Sequence, residues 1–259
     1  MSGAPLLSVR GLTRRFGGVI ALDGLSFDLE PGQILGLIGP NGSGKTTFFN
    51  VLTGIYRAHA GEIRFAGRPV TNLAPQAVYE MGITRTFQRS RLCLPLTVFD
   101  NIALGNHGHL EHGLWFSLAR RRALRQEFEA LFAEARELVG IFDLTLADRL
   151  LEPVAGIPMI DRRRIEICRA LVSRPRLLLL DEPSAGMTHD ETRRFMDEIL
   201  EVRRRFGDLT IILIEHEMSV IQRATDRCVV LNYGKKLSEG TYAEVAADPQ
   251  VRQAYLGLE

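Results

Sequence analysis

Gln33-Ile-Leu-Gly-Leu-Ile38 runs directly into Gly39-Pro40-Asn41-Gly42-Ser43-Gly44-Lys45-Thr46-Thr47, and that junction decides the fold. Its first half is a nearly continuous apolar run, as a strand buried on both faces requires. Its second half fits G-x-x-x-x-G-K-[ST], and residues 46–53 can open a helix. Strand, phosphate-sized loop and helix together make a nucleotide-binding unit. The glycines let successive backbone N–H groups curl around an anion without a Cβ in the way. The helix N-terminus adds its partial positive charge. On this reading residues 39–47 cradle the phosphates, Lys45 reaches the β- and γ-phosphates, and the Thr46 hydroxyl ligates Mg²⁺.

Outward from that junction, Leu177-Leu-Leu-Leu180-Asp181-Glu182-Pro183 is a second buried strand, ending in two carboxylates. At the carboxyl end of a parallel strand such groups face the ligand crevice. Asp181 is expected to hold Mg²⁺ directly or through water. Glu182 is placed to polarise an attacking water as general base. Residues 210–214 read as a third buried strand, with a helical stretch over 190–206 between the two. Residues 227–232 and 235–238, hinged at Tyr233-Gly234, read as a closing hairpin. Short strands are expected at 7–10 and 25–29. From about residue 96 to 171 the chain is instead rich in Arg, Glu, Leu and Ala, and residues 119–139 carry helical apolar spacing at Leu124, Phe128, Leu131, Phe132 and Ala135. The expected architecture is an α/β core with an N-terminal antiparallel β portion, a single domain over 1–259. A helical subdomain is inserted at approximately 89–172.

Composition narrows the partners. The chain has 259 residues, and 32 Lys+Arg against 31 Asp+Glu leave a formal charge of +1. That balance weighs against a nucleic-acid binder relying on overall basicity. Three scattered cysteines, Cys93, Cys168 and Cys228, lack ligand-like spacing, which disfavours a disulfide framework or zinc site and favours a reducing compartment. His107, His109 and His112 have no accompanying cysteine and are not read as a metal site. No secretory signal and no apolar run of ~20 residues is present. The expectation is a cytoplasmic protein with no membrane span, reaching the inner face of the cell membrane only through a partner.

The phosphate loop and the acidic pair, with a helical insert between them, resemble the ATP-binding-cassette ATPases, a branch of the P-loop NTPases. Phe16, in Leu12-Thr-Arg-Arg-Phe16, falls where that family places an aromatic that stacks on adenine. Gln88, ending Thr84-Arg-Thr-Phe-Gln88, matches the family's glutamine loop, which contacts Mg²⁺. His216, in Ile214-Glu215-His216-Glu217, matches the switch histidine that bonds the γ-phosphate and orients the water. Residues 184–188 match the loop that contacts a second cassette. Within the family, the stretches at 82–88, 164–171, 214–218 and 247–257 are most similar to ATP-binding subunits of branched-chain amino-acid importers. The resemblance implies ATP and Mg²⁺ as cofactors, Lys45, Gln88, Glu182 and His216 as catalytic groups, and Thr46, Gln88 and Asp181 at the metal. It also implies membrane permease subunits docked on the helical subdomain near residues 92–99, with a periplasmic solute-binding protein acting indirectly. The other class weighed is a soluble ATP-dependent switch or assembly protein not coupled to transport.

One family feature is broken. Members carry Leu-Ser-Gly-Gly-Gln, or a looser Leu-(Ala or Pro)-Tyr-Gly, just before an Arg-rich helix. Aligned on Arg163-Arg164-Ile165-Glu166, the corresponding stretch here is Ile157, Pro158, Met159, Ile160 and Asp161. Ile160 puts a branched side chain where glycine permits close approach, Pro158 has no N–H to donate, and no hydroxyl remains. Family cassettes pair head to tail, each signature completing the other chain's site. The expectation is therefore a heterodimer with a second ABC ATPase chain bearing an intact signature.

Overall fold

The computed structural model describes residues 4–86, 91–109 and 121–256. The chain divides into two compact units, one formed by Met1–Arg85 with Arg176–Glu259 and the other by Thr86–Pro175. The first unit carries two sheets. A four-stranded antiparallel sheet has the order β2-β1-β4-β5, from Leu7–Phe16 (β1), Val19–Leu29 (β2), Ala60–Phe65 (β4) and Arg68–Pro69 (β5). A six-stranded sheet has the order β10-β9-β3-β8-β7-β6. Its strands are Ile34–Ile38 (β3), Ile83–Arg85 (β6), Leu177–Asp181 (β7), Thr210–Ile214 (β8), Arg227–Asn232 (β9) and Lys235–Gly240 (β10). All neighbours in it are parallel except the β9–β10 hairpin.

Burial follows from strand order. β3, β7 and β8 are interior strands, and every residue in them is buried. That is why each is written as an apolar run rather than an alternation. Leu35, Leu37, Leu179 and Ile212 share one core cluster with Leu7, Val9 and Phe27 of the antiparallel sheet. Phe48 and Phe49 of the helix Lys45–Leu52 are wholly buried in it, with the Phe27 and Phe48 rings edge-on at 5.3 Å. Each such side chain contributes about 1.5–3 kcal/mol by leaving water.

The first two strands run longer than the sequence indicates. The strands expected at 7–10 and 25–29 leave out Gly11 and Gly24, yet both lie within strands as irregularities, at φ 58° and 69°. The β1–β2 register shifts between Val9 and Leu12 and again between Leu12 and Arg14. A positive-φ glycine bulges a strand without ending it when pairing resumes beyond it. As a result β1 continues to Phe16.

The helix His189–Phe206 is capped by Thr188, whose hydroxyl accepts from the Glu191 amide while the Glu191 carboxylate accepts from the Thr188 amide. Its buried stripe is Thr192, Phe195, Met196, Ile199 and Val202, and Gly207 ends it at a positive φ of 64°.

The second unit is helical. It contains Val98–Ala103, Arg121–Phe142, Leu144–Ala147 and Met159–Leu171. The long helix buries Leu131, Ala135, Leu138, Val139 and Phe142. Its apolar face therefore lies further along than the sequence spacing indicates, and Phe128 is 53% exposed. Phe128 still meets the buried Phe99 ring edge-on at 5.0 Å, with Phe132 at 5.1 Å on the same ring. Among the described residues, no helix is long and apolar enough to cross a membrane.

Candidate functional site

The first glycine of the loop is set by close approach. A Cβ on Gly39 would lie 2.1 Å from the Leu231 carbonyl oxygen, and its φ is 147°. Gly44, at φ 110°, is the cap of the helix Lys45–Leu52, and a Cβ there would meet the Ala21 carbonyl at 2.5 Å. No side chain caps this helix, so its first N–H groups are left for an anion. The loop is held from behind, where the Gly234 amide donates to the Ser43 carbonyl and the Asp23 amide donates to that of Gly234.

Lys45 is buried and donates to the carbonyls of Gly39 at 2.7 Å and Pro40 at 3.0 Å. Burial lowers its ammonium below the ordinary lysine value, while the Glu182 and Asp181 carboxylates act in the opposite direction. Thr46 is exposed at the helix start, and the buried Ser43 hydroxyl has no hydrogen-bond partner among the described residues. A buried hydroxyl without a partner, an uncapped helix and an inward lysine fit a phosphate chain. A cavity of about 480 Å³ runs along the loop between Asn41, Gly42, Ser43, Asn232, Tyr233 and Gln253. Lys45, Asp181 and Glu182 do not line it, which makes it the loop's flank rather than the phosphate cradle.

The acidic pair is assembled by sheet register. Asp181 of β7 lies opposite Ile214 of β8, so Glu182 leaves one strand beside Glu215 and His216 leaving the other. The Glu182 amide donates to the Ile214 carbonyl at 2.9 Å. Glu182 holds φ 49°, a left-handed conformation that costs a non-glycine residue on the order of 1–3 kcal/mol. There its Oε1 lies 2.7 Å from His216 Nε2. Beneath them Glu215 is buried, accepting from the Ser184 hydroxyl at 2.6 Å, the Ser184 amide at 3.0 Å and the His216 amide at 3.2 Å. Burial pushes the Glu215 carboxyl up, and those three donors pull it back.

Asp181 is 2% exposed. Its Oδ2 accepts from Arg85 at 2.6 Å, and its Oδ1 has no hydrogen-bond partner among the described residues. Burial raises its carboxyl above the ordinary aspartate range, against the pull of the Arg85 hydrogen bond and charge. A buried carboxylate oxygen with no partner, near a phosphate cradle, fits a hard divalent cation whose other ligands are phosphate oxygens and water.

Phe16 ends β1, 38% exposed, with its ring edge-on to Tyr56 at 5.2 Å and the Arg14 guanidinium 4.4 Å over it. A base stacking on this ring would use the face Arg14 leaves open. Gln88 lies outside the described residues. In the helical unit, Pro158 is the cap of the helix Met159–Leu171 and supplies no side-chain hydrogen bond. Ile157 is buried, Met159 is 62% exposed, and Asp161 pairs with Arg164 at 2.8 Å. Ile160 stands half-buried in the first turn.

Two participants escaped the sequence reading. Arg85 and Glu215 both sit inside stretches quoted for their neighbours, and only charge at the end of a short strand hinted at them. Each acts across a distance in sequence that no local spacing encodes.

A family model for ABC transporters matches residues 22–185, and one for a branched-chain amino acid ATP-binding cassette transporter matches residues 235–259. The high-affinity branched-chain amino acid transport ATP-binding protein LivG of Salmonella typhimurium is 41% identical over 254 residues, covering 98% of each chain. Its counterpart BraF of Pseudomonas aeruginosa is 38% identical over the same share of each chain. A crystal structure of an ATP-binding cassette of an ABC transporter in its ADP conformation superposes with a TM-score of 0.84 at 28% identity, covering 98% of this chain and 100% of that one. Identity sustained over nearly the full length, on a chain whose phosphate loop, acidic strand end and histidine are assembled as above, leaves one conclusion: this chain belongs to the ABC transporter family, as an ATP-binding cassette and an ATPase.

Proposed function

We propose that the chain is the ATP-hydrolysing subunit of a membrane importer for branched-chain amino acids or a related small polar solute, working at the cytoplasmic face of the membrane. The observation that carries this reading is 41% identity, over 98% of both chains, to a protein named for that transport. ATP lies along residues 39–47, with its base on Phe16. Lys45 leaves the Gly39 and Pro40 carbonyls for the β- and γ-phosphates. Thr46, Asp181 and Gln88 hold Mg²⁺, which neutralises charge on the transferring phosphoryl group when bound. Glu182 orients the attacking water and takes its proton, while His216 holds Glu182 and reaches the γ-phosphate. Most of the rate comes from positioning and charge stabilisation. The helical subdomain, approximately 89–172, passes closure around ATP to permease subunits, and a periplasmic solute-binding protein delivers the solute.

Co-expression with its permeases and binding protein in vesicles checks the transport reading. ATP-dependent uptake of labelled leucine, abolished when this chain is omitted, is the expected result. ATP hydrolysis without uptake of any branched-chain amino acid or related small polar solute would overturn it.

Pairing follows from the departure at residues 157–161. This chain brings complete hydrolytic groups and a signature without glycine or serine. The partner is a second cassette with an intact signature, and the site completed by Ile157 to Asp161 turns over poorly. ATPase activity of this chain alone is expected to rise at least about tenfold on adding that partner, because each missing donor to the transferring group costs on the order of 10²–10³ in rate. Equal activity alone and mixed would refute the heterodimer.

A further inference from the structure

Arg85 is not among the residues the reaction above employs, yet it is a buried cation held by two hydrogen bonds next to that site. It ends β6, opposite Leu179 of β7, two residues before Asp181 and on the same face of the sheet. One guanidinium nitrogen donates to Asp181 Oδ2 at 2.6 Å and another to Asn50 Oδ1 at 2.6 Å. The guanidinium carbon also lies 5.2 Å from the centroid of the Phe49 ring. Asn50 and Phe49 belong to the helix opened by the phosphate loop. One side chain thus ties the phosphate-loop helix to the acidic strand end.

A buried ion pair is a poor device for stability. Arg85 and Asp181 are 6% and 2% exposed, and the cost of desolvating both charges offsets most of their attraction. Geometry is what the pair supplies. A planar guanidinium donates along fixed directions, and with one nitrogen anchored on Asn50 it fixes where Asp181 Oδ2 must lie. The other oxygen, Oδ1, is then the buried one without a partner among the described residues.

We propose that Arg85 is a positioning residue for the divalent cation that accompanies the nucleotide: by gripping Oδ2 from Asn50 and Phe49, it aims Asp181 Oδ1 at that cation. This rests on the assignment of Asp181 to the metal given above. Partners that orient a ligating carboxylate typically contribute 10–100-fold in metal affinity. Lysine can substitute only in part, because one ammonium does not reproduce the two-directional fork.

The test follows the fluorescence of trinitrophenyl-ATP on the full chain while Mg²⁺ is titrated, and repeats the binding in EDTA. For Arg85→Gln the Mg²⁺ midpoint is expected to rise about tenfold or more, with affinity in EDTA unchanged. Arg85→Lys should fall between Arg85→Gln and the unaltered chain, and it carries the same comparison if Arg85→Gln does not fold. Asp181→Asn separates the two ideas. If it leaves the Mg²⁺ midpoint where it was, the metal role of Asp181 fails and the Arg85 proposal with it. If Asp181→Asn shifts the midpoint and the Arg85 variants do not, the Arg85 proposal alone is overturned. Equal weakening in EDTA and in Mg²⁺ would also overturn it, since that marks a merely structural residue.

Discussion

Glu182→Gln is expected to bind ATP as the unaltered chain does and to hydrolyse it 10²–10⁴-fold more slowly, the contribution a positioned general base makes. Glutamine keeps the volume, the hydrogen-bonding capacity towards His216 Nε2 at 2.7 Å and the strained backbone at φ 49°. What it loses is the ability to accept a proton. The substitution therefore isolates chemistry from folding and from nucleotide binding. Phosphate release in the assembled ATPase measures the first, and trinitrophenyl-ATP fluorescence the second. Unchanged phosphate release would dismiss Glu182 as the base. His216→Ala tests the pairing from the other side. If the two residues act as one unit, the double variant should be hardly slower than the slower single one, because groups acting together are non-additive.

Gly39→Ala should cost about 3 kcal/mol or more of folding stability and lose nucleotide binding with it. The added methyl would be driven to 2.1 Å from the Leu231 carbonyl and 2.8 Å from the Ser43 hydroxyl. The first of those is backbone of β9, which is paired with β10 on one side and β3 on the other and cannot step aside. Gly42→Ala is the matched contrast. It has φ 79° but nothing within 4 Å of the added Cβ, so only backbone strain of about 1–2 kcal/mol applies. Urea unfolding of both variants reads the difference directly. Equal losses would mean that the Gly39 contact with Leu231 does not constrain the loop.

The motif requires glycine at position 39 and leaves position 42 open, but nothing within it says why. The reason lies in β9, which the chain reaches nearly two hundred residues after the loop. The same division runs through the site. β3, β7 and β8 are recognisable from unbroken apolar runs, because a strand covered on both faces must be apolar at every position. The helix His189–Phe206 is legible as the helical stretch expected over 190–206, and the structure adds its Thr188–Glu191 cap and buried stripe. The phosphate loop is legible because its glycines, lysine and threonine act within a dozen residues of one another.

Gly11 and Gly24 resisted such reading, since whether a positive-φ glycine ends a strand or bulges it depends on the partner strand. Arg85 resisted for the same kind of reason. By itself the sequence determined the phosphate loop, the buried strands and the acidic ending of β7, because each is a local pattern whose cause lies within a few residues. The tertiary structure decided which of those endings meet. Setting β8 beside β7 brought His216 to Glu182, setting β6 beside β7 brought Arg85 to Asp181, and setting β9 beside β3 closed Leu231 over Gly39. Strand order is a property of the whole sheet, fixed by which apolar faces bury one another, and no window of sequence contains it.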